Sequence, residues 1–181
     1  DVGWTSFWQA FSGCSNLGEI YGGNTSNVTD MSYMFYNAAV ANPDVSGWNT
    51  AKVETMMNMF VHATNANPDT SGWNIVKATN ITNIFYNSGI SDENYTKFLV
   101  RAAEKSSQTS IYLGVVPAGY YDSAADARGT LVSLGWSISD RDSVGAGACG
   151  DATLDTTLGE VCDDGNVITE STCSSYGVSS C

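Results

Sequence analysis

The stretch VTDMSYMFYNAAVANPDVSGWNTAK, residues 28–52, realigns without a gap on VETMMNMFVHATNANPDTSGWNIVK, residues 53–77, and sets a period of 25 residues. Shared columns include Met31/Met56, Met34/Met59, Phe35/Phe60, Ala38/Ala63, Asn42/Asn67, Asp44/Asp69, Ser46/Ser71 and Trp48/Trp73. A third copy opens at Ala78 and keeps the columns through Ile81, Ile84 and Phe85 before diverging. A degenerate copy precedes them, with Phe11 and Cys14 standing 24 residues before Phe35 and Ala38. A unit this short cannot bury its apolar face alone, so neighbouring copies must stack into a solenoid with one continuous core.

Within each unit, Met31, Met34, Phe35 and Ala38 fall at i, i+3, i+4 and i+7, a stripe that predicts a short helix with one buried face. Thr29 and Thr55 stand where a hydroxyl would cap its first turn. The Asn-Pro-Asp and Ser-Gly pairs then mark turns, and a brief extended piece ends at the Trp. The structural core columns are therefore Met31, Met34, Phe35, Trp48, Met56, Met59, Phe60, Trp73, Ile81, Ile84 and Phe85. Asn24, Asn49 and Asn74, each 25 apart, read as a ladder that satisfies turn backbone groups from one coil to the next. The single histidine, His62, shares a column with Asn37 and Asn87, so it replaces a side-chain amide and reads as structural. Cys14 shares the column of Ala38, Ala63 and Ser88, which predicts a reduced, buried thiol.

Beyond the repeats, SDENYTKFLVRAAEKSS predicts a helix capped by Ser91, with Tyr95, Phe98, Leu99 and Ala102 on one face. IYLGVV reads as a strand, SAADARGTLVSLG as a helix from Ser123 with Ala127, Leu131 and Leu134 inward, and WSISD as a second strand. An open array end exposes core, so this α/β segment is the expected C-terminal cap. The organisation that follows is a repeat array over 1–89, a cap over 90–142, a linker of small residues over 143–148 and a cysteine-rich tail over 149–181.

The formal charge of −12, from 19 acidic and 7 basic residues, argues against nucleic acid and anionic membrane surfaces as partners. No run approaches the roughly 18 apolar residues of a bilayer span. Either no targeting segment existed or a secretory signal has been removed, and the start at Asp1 favours removal. Cys149, Cys162, Cys173 and Cys181 crowd into the last 33 residues, as in small segments held by disulfides in oxidising compartments. Zinc is the rival reading, and it lacks a close Cys-x2-Cys pair and a nearby histidine. Four cysteines allow three connectivities, which the spacing does not rank. Asp151, Asp163, Asp164 and Asn166 supply hard oxygens of the kind calcium takes, with Gly165 permitting a tight turn, against a solvated acidic loop as the bland alternative. Asn-x-Ser/Thr sequons begin at Asn24, Asn27, Asn80 and Asn94, and an Asn- and Thr-rich repeat produces such matches by composition.

Catalysis finds little support: no glycine-rich phosphate loop follows a strand, no His-Glu-x-x-His occurs, and one histidine offers one candidate base. Carboxylate pairs for glycoside hydrolysis stay open, because their separation lies in the fold. The units with MSYMF, NPDVSGWNT and MMNMF resemble the BspA-like repeats of bacterial surface proteins, a leucine-rich-repeat-like group. The segment from ENYTKFL to LGWSISD is similar to the ending such arrays often have, and CGDATLDTTLGEVCDDGN resembles cysteine-rich repeats of large secreted bacterial proteins. The resemblance implies an α/β chain built as a leucine-rich-repeat-like solenoid with an α/β cap and a small disulfide-rich tail. It implies a bacterial extracellular or cell-surface protein, not an enzyme and needing no cofactor, that adheres to surface or matrix proteins or glycans, or joins identical subunits in a fibre. A secreted carbohydrate-active or other hydrolytic enzyme is the alternative.

Overall fold

The structure, a computed structural model, describes residues 3–17, 20, 23–106, 108–115, 117–141 and 143. The chain divides into two units, Asp1–Ser143 and Val144–Cys181, and every described residue belongs to the first.

The apolar stripe of each repeat is carried by consecutive tight turns. Among the described residues no helix lies before residue 92, which corrects the short helix expected at Met31–Ala38 and its counterparts. The reason lies in the backbone. Gln9, Tyr33, Asn58 and Asn83 form one column of left-handed residues (φ 53–58°), and Gly13, Asn37, His62 and Asn87 form a second (φ 53–70°). A left-handed residue every four positions ends a right-handed helix, and it suits the third position of a β-turn. Inside the second coil, Met34, Tyr36 and Ala38 donate their N–H groups to Met31, Tyr33 and Phe35, each three residues back. The intervening N–H groups of Met31, Tyr33, Phe35 and Asn37 point out of the coil, to the carbonyls of Thr55, Met57, Met59 and Val61 at 2.8–2.9 Å. The same alternation joins Phe7, Gln9, Phe11 and Gly13 to the second coil, and Met56, Asn58, Phe60 and His62 to the fourth. Tight turns place i, i+3, i+4 and i+7 inward much as a helix does, so the burial pattern survives although the backbone differs. Met31, Met34, Phe35, Trp48, Met56, Met59, Phe60, Trp73, Ile81, Ile84 and Phe85 are all buried.

Parallel bridges link Ser6 to Asp30, Asp30 to Thr55 and Thr55 to Asn80. At each of these positions the side chain accepts the N–H two residues on: Ser6 from Trp8, Asp30 from Ser32, Thr55 from Met57 and Asn80 from Thr82. These are Asx and Ser/Thr turns, and at Thr55 that is the role taken in place of the expected helix cap. Thr29 instead donates its hydroxyl to the Thr5 carbonyl, across a coil junction. The asparagines at 24, 49 and 74 also act locally, accepting from Ser26, Ala51 and Val76. The coil-to-coil ladder expected of them falls to two other columns. Thr25 both accepts from the Asn49 N–H at 2.8 Å and donates to the Asn49 carbonyl at 3.1 Å, and Thr50 does the same for Asn74. Asn42 accepts from the Asn67 N–H, and Asn67 accepts from Ser91.

Through the core runs a column of phenyl rings. Phe11, Phe35, Phe60 and Phe85 stack at 5.5, 5.3 and 5.9 Å with planes within 18° of parallel. Phe98 closes the column edge-on at 5.1 Å and 85°. It belongs to helix α1, Asp92–Lys105, which is capped by Ser91 and buries Tyr95, Phe98, Leu99 and Ala102 against the last coil. Strand β1 (Tyr112–Gly114) follows, then a 3-10 turn (Asp122–Ala124), helix α2 (Ala125–Ser133) and strand β2 (Ser137–Ser139), which pairs parallel with β1. Ser123 lies inside the 3-10 turn, so α2 starts later than the sequence pattern suggests, with no side-chain cap. Leu131 is its one buried residue, while Ala127 and Leu134 are half-covered. Cys14 has a free thiol and is half-buried. Its equivalents Ala38 and Ala63 are covered by coils on both sides, whereas the first coil has a described neighbour on one side only.

The two-way bond at Thr50 generates a test. Thr50→Val removes a partner from both the N–H and the carbonyl of Asn74 at a site that is 1% exposed, and should cost about 1–3 kcal/mol in urea denaturation. Thr64→Val, at an exposed hydroxyl bonded to the Ala39 carbonyl, should stay within about 0.5 kcal/mol of the parent.

Candidate functional site

Three groups of side chains in the first unit invite a functional reading, and their partners separate them. A groove of about 270 Å³ lies along α1, lined by Ser71, Thr96, Lys97, Val100, Arg101 and Glu104. Its cations are engaged: Lys97 pairs with Glu93 at 2.7 Å, and Arg101 with Glu104 at 3.2 Å and the Trp73 carbonyl at 2.8 Å. No free charge is left there to select an ion.

The second group is buried. Asp140, whose side chain is 2% exposed, accepts from the Tyr95 hydroxyl at 2.7 Å and receives a two-pronged contact from Arg128 at 2.7 and 3.0 Å. Arg128 also lies over the Tyr120 ring at 5.3 Å. Burial, with the Asp140 charge beside it, pushes the Tyr95 phenol far above its ordinary value near 10, so it remains a donor. The Asp140 hydrogen bond holds Arg128 above its usual value as well. With both Asp140 oxygens and the Tyr95 hydroxyl paired, the cluster ties the end of the cap to α1.

The third group lies on the side of the stack, where the left-handed columns turn the chain. Tyr33 meets Tyr36 at 5.5 Å, Tyr36 meets His62 edge-on at 6.3 Å, and His62 meets Tyr86 edge-on at 6.1 Å. Asn87 Nδ2 lies 2.8 Å from His62 Nδ1, a hydrogen-bond distance. These rings form a continuous chain over three coils. Asn37 and Asn58 stand in the same left-handed columns, and their side chains make no hydrogen bond among the described residues. The hydroxyls of Tyr33, Tyr36 and Tyr86 likewise have no partner among the described residues, and Tyr86 is 42% exposed. No position of the three columns carries Asp, Glu, Lys or Arg: they read Gln9/Tyr33/Asn58/Asn83, Ser12/Tyr36/Val61/Tyr86 and Gly13/Asn37/His62/Asn87. The backbone beneath is consumed by the coil-to-coil ladder, so side chains alone face outward.

This face was missed in the sequence because its residues do not share an identity from coil to coil. The signal was conformational: Asn, Gly and His recur in one column, and these are the residue types that tolerate a left-handed backbone. The core columns converge in the interior. Cys149, Cys162, Cys173 and Cys181, with Asp151, Asp163, Asp164 and Asn166, lie outside the described residues. Among the described residues no set of three or more His, Cys, Asp or Glu is placed to hold a metal ion, and no helix is long and apolar enough to cross a membrane. Of the sequon asparagines, Asn24 and Asn27 are exposed, whereas Asn80 and Asn94 are half-buried and bonded.

Residues 5–111, more than half of the chain, match a family described as "Mycoplasma protein of unknown function, DUF285". The chain belongs to the DUF285 family. That match covers the repeats, α1 and the approach to β1, and it stops short of the cysteine-rich segment. Its bacterial affiliation agrees with the bacterial surface repeats that the same residues resemble. No match is found among curated proteins or among solved structures.

The buried tyrosine makes the cap alkali-sensitive. A phenol whose folded pKa is raised stabilises the fold below its unfolded value near 10, and that contribution is lost as pH rises beyond it, because the unfolded chain releases the proton first. The denaturation midpoint should therefore fall between pH 9 and 11.5 more steeply in the parent than in Tyr95→Phe, although the variant starts lower at pH 7. Parallel profiles would show that Tyr95 does not carry the alkaline slope.

Proposed function

We propose that this DUF285 chain is a leucine-rich-repeat-like solenoid displayed outside a bacterial cell, which binds a partner on the side of its stacked coils and performs no catalysis. The observation that carries this reading is the chain of rings Tyr33, Tyr36, His62 and Tyr86, in columns without Asp, Glu, Lys or Arg, with the unengaged amides of Asn37 and Asn58. Groups of this kind give contact area at low entropic cost, because an aromatic ring has few rotors to freeze and an amide offers both donor and acceptor. The stack supplies rigidity: each coil is fixed to its neighbour by the four ladder bonds, by further backbone bonds beside them and by a stacked phenyl pair, so the face is organised before a partner arrives. Family membership and the likeness to bacterial surface repeats support the location.

Adhesion of the intact chain to immobilised matrix and envelope fractions tests the reading. Binding should be saturable and should fall in Tyr36→Ala and Tyr86→Ala while the melting temperature stays near that of the parent. Binding that ignores both substitutions would move the function off this face, and turnover of a glycan substrate would replace it with hydrolysis.

Calcium, on this reading, belongs to the tail, at Asp151, Asp163, Asp164 and Asn166, and Cys149, Cys162, Cys173 and Cys181 pair among themselves. The repeats and cap draw their stability from apolar burial and backbone bonds, so EDTA should leave their thermal transition unchanged. A collapse of that transition on chelation would show that an ion holds the coils.

A further inference from the structure

The ring-and-amide face narrows the chemistry of what it can hold. An anionic ligand finds no Lys or Arg in the three columns, in a chain of net charge −12. Single-stranded nucleic acid would stack on tyrosines, but it also requires a basic groove along its backbone. Tyrosine- and asparagine-rich faces also serve protein partners, but most protein interfaces gain their affinity at a dry apolar centre surrounded by a polar rim. Here the order is different. Each exposed ring ends in a hydroxyl or a ring nitrogen, and amides stand among the rings rather than around them. Leu, Ile and Met are absent from these columns, and the one aliphatic member, Val61, is 6% exposed. A ligand must therefore present apolar C–H surface and neutral hydroxyls at high density in the same few ångströms.

We infer that the ligand of this face is a neutral glycan chain, laid along the stack so that successive sugar rings meet Tyr36 and Tyr86 on successive coils, and that this identification rests on the binding role proposed above. The C–H faces of pyranose rings lie against the phenol planes. Asn37 and Asn58 amides, each with two donors and an acceptor, bond neighbouring sugar hydroxyls. His62 sets the spacing: held by Asn87, its ring edges keep Tyr36 and Tyr86 apart at one-coil steps of 6.3 and 6.1 Å from its own centroid. A repeating polymer fits a repeating surface because the same contact recurs at each coil, and several weak contacts add through one chain.

A printed array of neutral hexose, pentose and N-acetylated hexosamine oligomers, with sulfated and uronic-acid glycans beside them, tests this on the full chain. Retention is expected on neutral oligomers that lengthen with affinity and not on the anionic set. Tyr36→Ala and Tyr86→Ala should each weaken it by about tenfold or more, the scale of a lost stacking contact, with Tyr86→Phe losing less and Val132→Ala on α2 unchanged. Equal thermal transitions for all variants confirm that folding is not what moved. Preference for anionic glycans, or silence across the whole array, overturns the glycan assignment. If a protein ligand is then captured in a Tyr36- and Tyr86-dependent way, the binding face stands and only the ligand class falls. If neither ligand depends on these tyrosines, both readings fail.

Discussion

The first three coils divide their backbone N–H groups between two duties, and that alternation governs the rest. One N–H closes a turn within the coil and the next reaches the following coil, for Met31 through Ala38 and again for Met56 through Ala63. The pattern leaves these buried donors paired without helix or sheet, as a buried backbone requires. Within this ladder the N–H belongs to the earlier coil and the carbonyl to the later one, while flanking bonds run the other way, from Thr29 to Thr5, Glu54 to Thr29 and Thr79 to Glu54. The first coil is one residue shorter than the others, and the shortfall lies between Cys14 and Asn24, outside the segment that carries the ladder. Phe7, Gln9, Phe11 and Gly13 thus keep the alternate spacing that meets Asp30, Ser32, Met34 and Tyr36.

Such a ladder cannot be continued by a helix, whose carbonyl groups, the acceptors the last coil's N–H groups would need, are already spent inside it. Helix α1 therefore ends the array by other means. It replaces a stacked phenyl with the edge of Phe98, and it reaches the third coil through side chains, Arg101 to the Trp73 carbonyl and Asn94 to Asn67. Gly89 shows how tightly the chain is drawn in before the helix begins, since a Cβ there would collide with the Thr64 carbonyl. Helix α1 thus covers the core end with its apolar face and meets carbonyls of the third coil with long polar side chains.

The period, the inward columns and the change of pattern near residue 90 were legible in the sequence, because burial leaves a periodic record that does not depend on how the backbone turns. The turn conformation was not. Spacing of i, i+3, i+4 and i+7 describes which residues face inward, and a run of tight turns satisfies it as well as a helix does. What distinguished the two was a column of residues tolerant of positive φ, and Tyr33 and Gln9 obscured it by standing where Asn58 and Asn83 stand. The threonine ladder was hidden for a related reason. Thr25 and Thr50 sit beside the more conspicuous asparagines, and a hydroxyl that both donates and accepts across a junction has no spacing signature of its own.

The side face and the acidity of the chain are connected by what the carboxylates already do. Asp44 and Asp69 bond Ser46 and Ser71 in the turns that precede each Trp, and those contacts, the serine hydroxyl foremost, hold both carboxyls below their ordinary value. Asp30 closes a turn with Ser32, Asp92 receives Gly119 and Arg141, and Asp140 anchors Tyr95 and Arg128. Much of the negative charge in the first unit is thus assigned to fixing loops, at positions away from the three side columns. The lone histidine fits the same division. A left-handed site accepts Asn, Gly or His, and of these only His supplies a ring that two tyrosines can lean against. His62 is therefore a backbone choice that also completes an aromatic surface, and the surface is neutral because the loops hold the charge.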